Sequence, residues 1–199
     1  MKVKIYIEGG GDGADLDQAF REAWSKFFEA AGLAGKMPRP VRGKGRQRAF
    51  DLFATAVRNR REDELPLFLV DSEDLVGQNV AGWEHLKGRD NWDRPVGATE
   101  DQLFLMICCM ETWLLADRPR LRIFFGQHWR GNALPVWPAL EQVPKNRILD
   151  ALQQATAACG EKRYAKGELS FQLLGEIDPL VVEAACPATR RLLQRLRAL

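Results

Sequence analysis

"KVKIYIEGGGDGADLDQAFREAW" (residues 2–24) decides how this chain is read. Val3 to Glu8 is a β-branched and aromatic run, and Gly9 to Gly13 end it, which predicts a strand. The following segment, "DLDQAFREAWSKFFEAAG" (residues 15–32), predicts a helix. Asp15 can cap its start, Leu16, Phe20, Trp24, Phe27 and Phe28 recur at helical spacing, and Gly32 closes it. A strand that runs into a glutamate and a nest of glycines admits two readings: a loop that cradles a phosphate, or an acidic strand end that holds a metal ion.

The same grammar repeats downstream. "PRPVRGKG" (residues 38–45) reads as a short edge strand or loop, and "RQRAFDLFATAVRNRRE" (residues 46–62) as a second helix with Ala49, Phe50, Phe53 and Val57 on one face. "LPLFLVD" (residues 65–71) is a continuous apolar run ending in acid, the pattern of a buried strand. Gly77 to Gly97 is polar and reads as a long loop. "QLFLMICC" (residues 102–109) is a third apolar strand, and "METWLLAD" starts a helix. Beyond Pro119 only helical periodicity and turns are found, clearest in residues 145–160 and 187–199. Strands alternating with helices imply a parallel sheet with crossover helices. The expected fold is α/β out to about Phe125, with residues 126–199 as a helical extension packed on that core.

Between the two readings of the glycines, residues favour the metal. "GGGDGA" fits GxGxxA between strand and helix. However, Glu8, Asp12 and Asp15 put negative charge where a pyrophosphate would sit, and no acid ends a second strand about 20 residues on. A Walker loop is absent because no GK[ST] follows. In a parallel sheet the C-terminal strand ends meet at one edge. Glu8 ends the first strand, Asp71 the next, with Glu73 and Asp74 just beyond, and Glu111 follows the third. Crowded carboxylates repel, and a divalent cation such as Mg²⁺ or Mn²⁺ relieves that repulsion. The plainer reading is that Asp71 caps a helix and Glu111 favours a helix N-terminus.

Net charge is only +2, but from Lys36 to Arg48 there are six basic residues and no acid, and the tail carries Arg190, Arg191, Arg195 and Arg197. Such clusters suit an anionic partner or a solvated face. Trp83, Trp92, Trp129 and Trp137 fall in loop-like segments, where base stacking, partner docking or simple anchoring are all open. His85 and His128 read as surface histidines. The four cysteines form no CxxC pair and read as free thiols. No apolar run approaches the roughly 18 residues of a membrane span. The N-terminal segment carries no signal-peptide pattern, and the expectation is a cytoplasmic protein.

"IYIEGGGDG" followed by "LFLVDSED" resembles the Toprim pattern of a glutamate after the first strand and an acid-x-acid motif after a later one. With "CCMETWLLAD", "YAKGELSFQLL" and "CPATRRLL", nearly the whole chain resembles a bacterial family of unknown function, family 4276. That family is grouped with Toprim-like proteins and with the nuclease domains of OLD-type and RloB-type phage-defence proteins. The resemblance implies a Mg²⁺- or Mn²⁺-dependent nuclease acting on DNA or RNA. Glu8, Asp71, Glu73 and Glu111 would form its catalytic metal site, with Asp74 able to replace Glu73, because the motif here reads DxE. It implies phosphate contacts at Arg46 and Lys166, with Lys44 and Arg48 along the basic stretch. It also implies an ABC-type ATPase partner; a non-catalytic binding or regulatory subunit of such a complex is the competing expectation.

Overall fold

The computed structural model describes residues 1–10 and 14–199. Gly11, Asp12 and Gly13, the centre of the glycine nest, lie outside the described residues.

Among the described residues the strands are β1 (Lys2–Ile7), β2 (Arg39–Arg42), β3 (Glu64–Asp71) and β4 (Leu103–Met106). All pair in parallel, in the order β2-β1-β3-β4. Helix α1 (Ala14–Phe28) joins β1 to β2, and α2 (Arg46–Arg58) joins β2 to β3. This is the parallel α/β sheet that the alternating pattern implies.

Side-chain alternation explains why both faces of the sheet need cover. Ile5, Ile7, Leu65, Leu67 and Leu69 bury on one face, against α1. Tyr6, Phe68 and Val70 bury on the other, against α2. Helix α1 turns Phe20, Ala23, Trp24, Phe27 and Phe28 inward at i, i+3, i+4, i+7 and i+8. Its Trp24 and Phe27 pack on Trp113, with centroids 6.0 and 5.4 Å apart. Trp113 belongs to α4 (Glu111–Ala116). Asp15 falls within the first turn of α1 rather than ahead of it.

From α4 onward the chain is helical: α5 (Arg118–Phe125), α6 (Lys145–Ala155), α7 (Glu168–Leu174), α8 (Pro179–Ala185) and α9 (Pro187–Arg197). Ile148, Leu152, Phe171, Leu174, Val182 and Leu193 from these helices bury in the same apolar cluster as α1 and the strands.

Two local expectations are corrected, and the open reading of two tryptophans is decided. The segment from Gly77 to Gly97 is not simply a loop, because it contains α3 (Gly82–Asp90). Its helical signal is short: Trp83 and Leu86 are its buried side chains, and Asn91 ends it in the left-handed conformation. The third strand is half the expected length, because Cys108 takes φ +60° and turns the chain. Trp83 and Trp92 are 4% and 6% exposed, so neither is free to stack on a base or dock a partner. Trp83 stacks near Phe53 and Phe68, and Trp92 lies parallel to Phe50 at 4.5 Å. Trp129 and Trp137 are half-buried. All four cysteines are free; burial pushes the Cys108 thiol up to about 11 and the Cys186 thiol to about 12, so neither is a ready nucleophile. No described helix is long and apolar enough to cross a membrane.

Candidate metal centre

The C-terminal strand ends form the site because parallel pairing sets them side by side. Glu8 follows β1 and Asp71 ends β3, next to each other in the sheet. Glu73 reaches the same place through an unusual backbone. Its φ is +67°, a conformation that costs a non-glycine residue roughly 1 kcal/mol or more. Hydrogen bonds hold it there: the Glu73 N–H donates to Cys108 O at 3.0 Å, and the Ser72 N–H to Met106 O at 2.9 Å. The fully buried Ser72 hydroxyl accepts from Cys108 N–H and donates to Asp74 O, each at 2.7 Å.

One carboxylate oxygen from each of Glu8, Asp71 and Glu73 lies within 4.8 Å of the others. Asp71 is 8% exposed, and its Oδ1 accepts from Met110 N–H at 3.0 Å. Glu111, the first residue of α4, is 2% exposed and shares a cavity of about 430 Å³ with Glu8, Asp71 and Lys166. Its Oε1 accepts from Tyr164 Oη at 2.6 Å, while Oε2 is buried with no hydrogen-bond partner among the described residues. A buried carboxylate oxygen without a donor is costly. Asp74 stands apart from the cluster: its side chain is 73% exposed and pairs with Arg89 at 3.2 Å.

The electrostatics record the crowding. Burial, then the charges of Glu111 and Glu8, hold the Asp71 carboxyl well above the usual carboxylate range. Burial raises Glu8 as well, against the pull of Arg46. Four cations face the acids, Arg89 among them at 3.7 Å from Glu73. Arg46, at the start of α2, donates to Glu8 Oε2 at 3.1 Å and to the Asp71 carbonyl at 2.6 Å. Asp90 grips the rest of its guanidinium at 2.8 and 2.7 Å, and Trp92 lies 5.1 Å beneath it. Lys166 Nζ stands 3.5 Å from Glu111 Oε1 with its side chain half exposed. Lys145 pairs with Glu73 and lies 4.0 Å from Asp71 Oδ2.

The basic stretch is less available than its sequence suggests. Lys44 and Arg42 both pair with Asp17 of α1, at 3.2 and 2.7 Å. Arg48 is exposed. Gly9 leaves room for Arg42, since a Cβ there would come within 2.9 Å of Arg42 Cγ. His85 is half-buried on α3, with Nε2 2.8 Å from Ser72 O, and His128 is exposed.

Lys145, Asp90 and Tyr164 could not be placed from sequence spacing. Lys145 lies 72 positions from Glu73. Asp90 ends the helix that reads as loop. Tyr164 alone left a trace, in the "YAKG" block that also holds Lys166.

The donor set fits a hard divalent cation. It is all oxygen, negatively charged and partly buried. Oxygens on one octahedral ion at about 2.1 Å lie about 3.0 Å apart when adjacent and about 4.2 Å when opposite, so the cluster must draw in by up to roughly 2 Å to share one ion.

Fold and site together define an α/β protein with an acidic centre at the C-terminal edge of a parallel sheet. The chain belongs to the family described as Domain of unknown function (DUF4276), whose model matches residues 7–197. No curated protein and no solved structure matches it.

Proposed function

We propose that the chain is a divalent-metal-dependent phosphodiesterase acting on nucleic acid, a Toprim-like relative of the OLD-type and RloB-type nuclease domains. Its setting is cytoplasmic phage defence beside an ABC-type ATPase. The observation that carries this reading is the convergence of Glu8, Asp71 and Glu73 within 4.8 Å, next to a buried Glu111 with an unpartnered oxygen. Structural acids bury with their oxygens satisfied; an orphaned one beside three crowded carboxylates calls for a cation.

Glu8, Asp71, Glu73 and Glu111 would hold Mg²⁺ or Mn²⁺. Once bound, the ion supplies Lewis-acid stabilisation of the scissile phosphate and a more acidic water. The protein groups do the rest. Glu8, at the strand end beside the cluster, would either ligate the ion or take the proton of the attacking water. Lys166, half exposed at the cavity, can meet a non-bridging phosphate oxygen. Arg46 is clamped by Asp90 and adds fixed positive charge behind the acids, so it needs no reorganisation as charge develops. Arg48 extends the phosphate track, and Lys44 joins it where Asp17 releases it.

The test is cleavage of labelled DNA and RNA by purified protein with Mg²⁺ or Mn²⁺. Activity should fall by at least about a thousandfold in Glu8→Gln and Asp71→Asn, the scale expected when charge stabilisation and water activation are both lost. Cleavage that persists in these variants removes the site from the chemistry.

A second reading has one specific observation in its favour. Arg46, Lys145 and Lys166 already oppose the acids, so the cluster can stand as an ion-pair network without metal. The chain would then be a non-catalytic subunit of the ATPase complex. Co-purification with an ATPase subunit and calorimetric titration without Mn²⁺ uptake would favour it.

A further inference from the structure

We infer that Lys145 is an exchangeable cation: its ammonium holds the metal's place among Glu73 and Asp71, yields it to a divalent ion, and then turns to a phosphate of the substrate. This rests on the metal reading above.

The four cations at the site are held in different ways. Arg46 is fixed from outside the cluster, by both oxygens of Asp90 and by the Trp92 ring. Lys166 contacts Glu111 and is half exposed. Arg89 reaches Glu73 at 3.7 Å, but Asp74 and Asp90 also hold it. Among the described residues, the acids paired with Lys145 are Glu73 and Asp71, two of the three that converge.

An ammonium and a divalent ion on carboxylate oxygens within 4.8 Å of one another repel, so each weakens the other's hold on the acids. The divalent ion has twice the charge and takes several oxygens at about 2.1 Å, so it wins Glu73 when present. Lys145 can move because it starts α6, directly after Pro144, on a flexible four-carbon stem. It also has a place to go. A hollow of about 700 Å³ opens beside it, lined by Glu73, Asp74, Leu75, Pro144, Lys145 and Leu149. A positive end swung toward that hollow would lie one side chain away from the metal, placed to meet the neighbouring phosphate of a bound strand. Metal uptake would thus create an anion contact that the metal-free protein lacks.

Calorimetric titration with Mn²⁺, in the absence of nucleic acid, tests the first half. Lys145→Met should bind Mn²⁺ about tenfold more tightly than the unmodified protein, because a competing cation near the site is gone. Lys145→Arg should bind it no more tightly. Lys145→Gln provides a second neutral variant should the methionine protein melt early. Equal or weaker Mn²⁺ binding by folded neutral variants overturns the exchange. Binding to a short single-stranded DNA with Ca²⁺ tests the second half. Lys145→Met should bind several-fold more weakly, with the salt slope reduced by about 0.7, the loss of one phosphate contact. An unchanged slope overturns the phosphate role. If the unmodified protein takes up no Mn²⁺, the metal reading itself falls; if it does and the variants bind no better, only the role of Lys145 falls.

Discussion

Two basic regions look alike in the sequence and are used in opposite ways. Lys36 to Arg48 and Arg190 to Arg197 are both runs of positive charge without an acid. The first delivers Arg46 to Glu8 and the Asp71 carbonyl at the acidic edge of the sheet. The second serves the fold. Arg191 donates to the Glu100 and Leu103 carbonyls and lies over the Phe104 ring. Arg190 donates to the carbonyls of Glu183 and Ala184. Arg197 forks onto both oxygens of Glu183 and also reaches Ala31 O. Arg190, Arg191 and Arg197 therefore fasten α9 to its neighbours. A run of charge in a sequence reports neither its partner nor its task, because the partner arrives from elsewhere in the chain.

Substitutions can break this contrast. Arg46→Ala should do the most damage: it strands Glu8 and Asp90 in partly buried surroundings and costs about 3 kcal/mol, as for removing one partner of a buried ion pair. The metal-dependent cleavage should fall with it, and a thermal melt alongside the cleavage assay reads both. Arg197→Ala should cost less, about 1–2 kcal/mol, since its pair with Glu183 is partly solvated. Mn²⁺ affinity should be untouched, and a calorimetric change there would dissolve the distinction between the two regions.

Glu141 gives the tail its own half-buried acid, and a pH test that separates it from the metal site. Its oxygens accept from the Ala188 N–H at the start of α9, at 3.1 and 3.3 Å. Burial pushes its carboxyl from 4.5 up to about 7. Such a group binds more protons folded than unfolded between those two values, so its contribution to stability declines as pH rises through that window. Glu141→Gln should therefore gain on the unmodified protein from about pH 4.5 to about pH 7 and hold its advantage above. Melts in urea at several pH values measure the trend. Mn²⁺ should leave it unchanged, since Glu141 is not part of the acidic cluster.

Arg48→Ala should have the smallest effect. The side chain is exposed, so stability should stay within about 0.5 kcal/mol. The salt slope for binding DNA should drop by about 0.7–0.9 if Arg48 meets a phosphate. No drop would confine the phosphate contacts to the inner cations.

Much of the site could be read without coordinates. Glu8, Asp71 and Glu111 each follow an apolar strand, and parallel strands must end at one edge. What misled was context. Cys108 cuts short a run that reads as eight apolar residues of strand, because a left-handed turn there lets the Ser72 hydroxyl and Cys108 N–H meet. Helix α3 hides in a polar stretch because its buried face amounts to Trp83 and Leu86. The choice between Glu73 and Asp74 falls to Glu73 for membership of the acidic cluster, since its positive φ goes with a carboxylate inside the group while Asp74 is in solvent.

The alternating apolar runs and amphipathic helices, by themselves, determined a parallel α/β sheet and the rim at which its acids gather, because side-chain period and strand direction are local properties. Only the folded chain decided which cations answer those acids. Asp90, Lys145 and Tyr164 come from separate helices and turns, and long-range packing, rather than spacing along the backbone, brings each of them to its charge or hydrogen-bond partner.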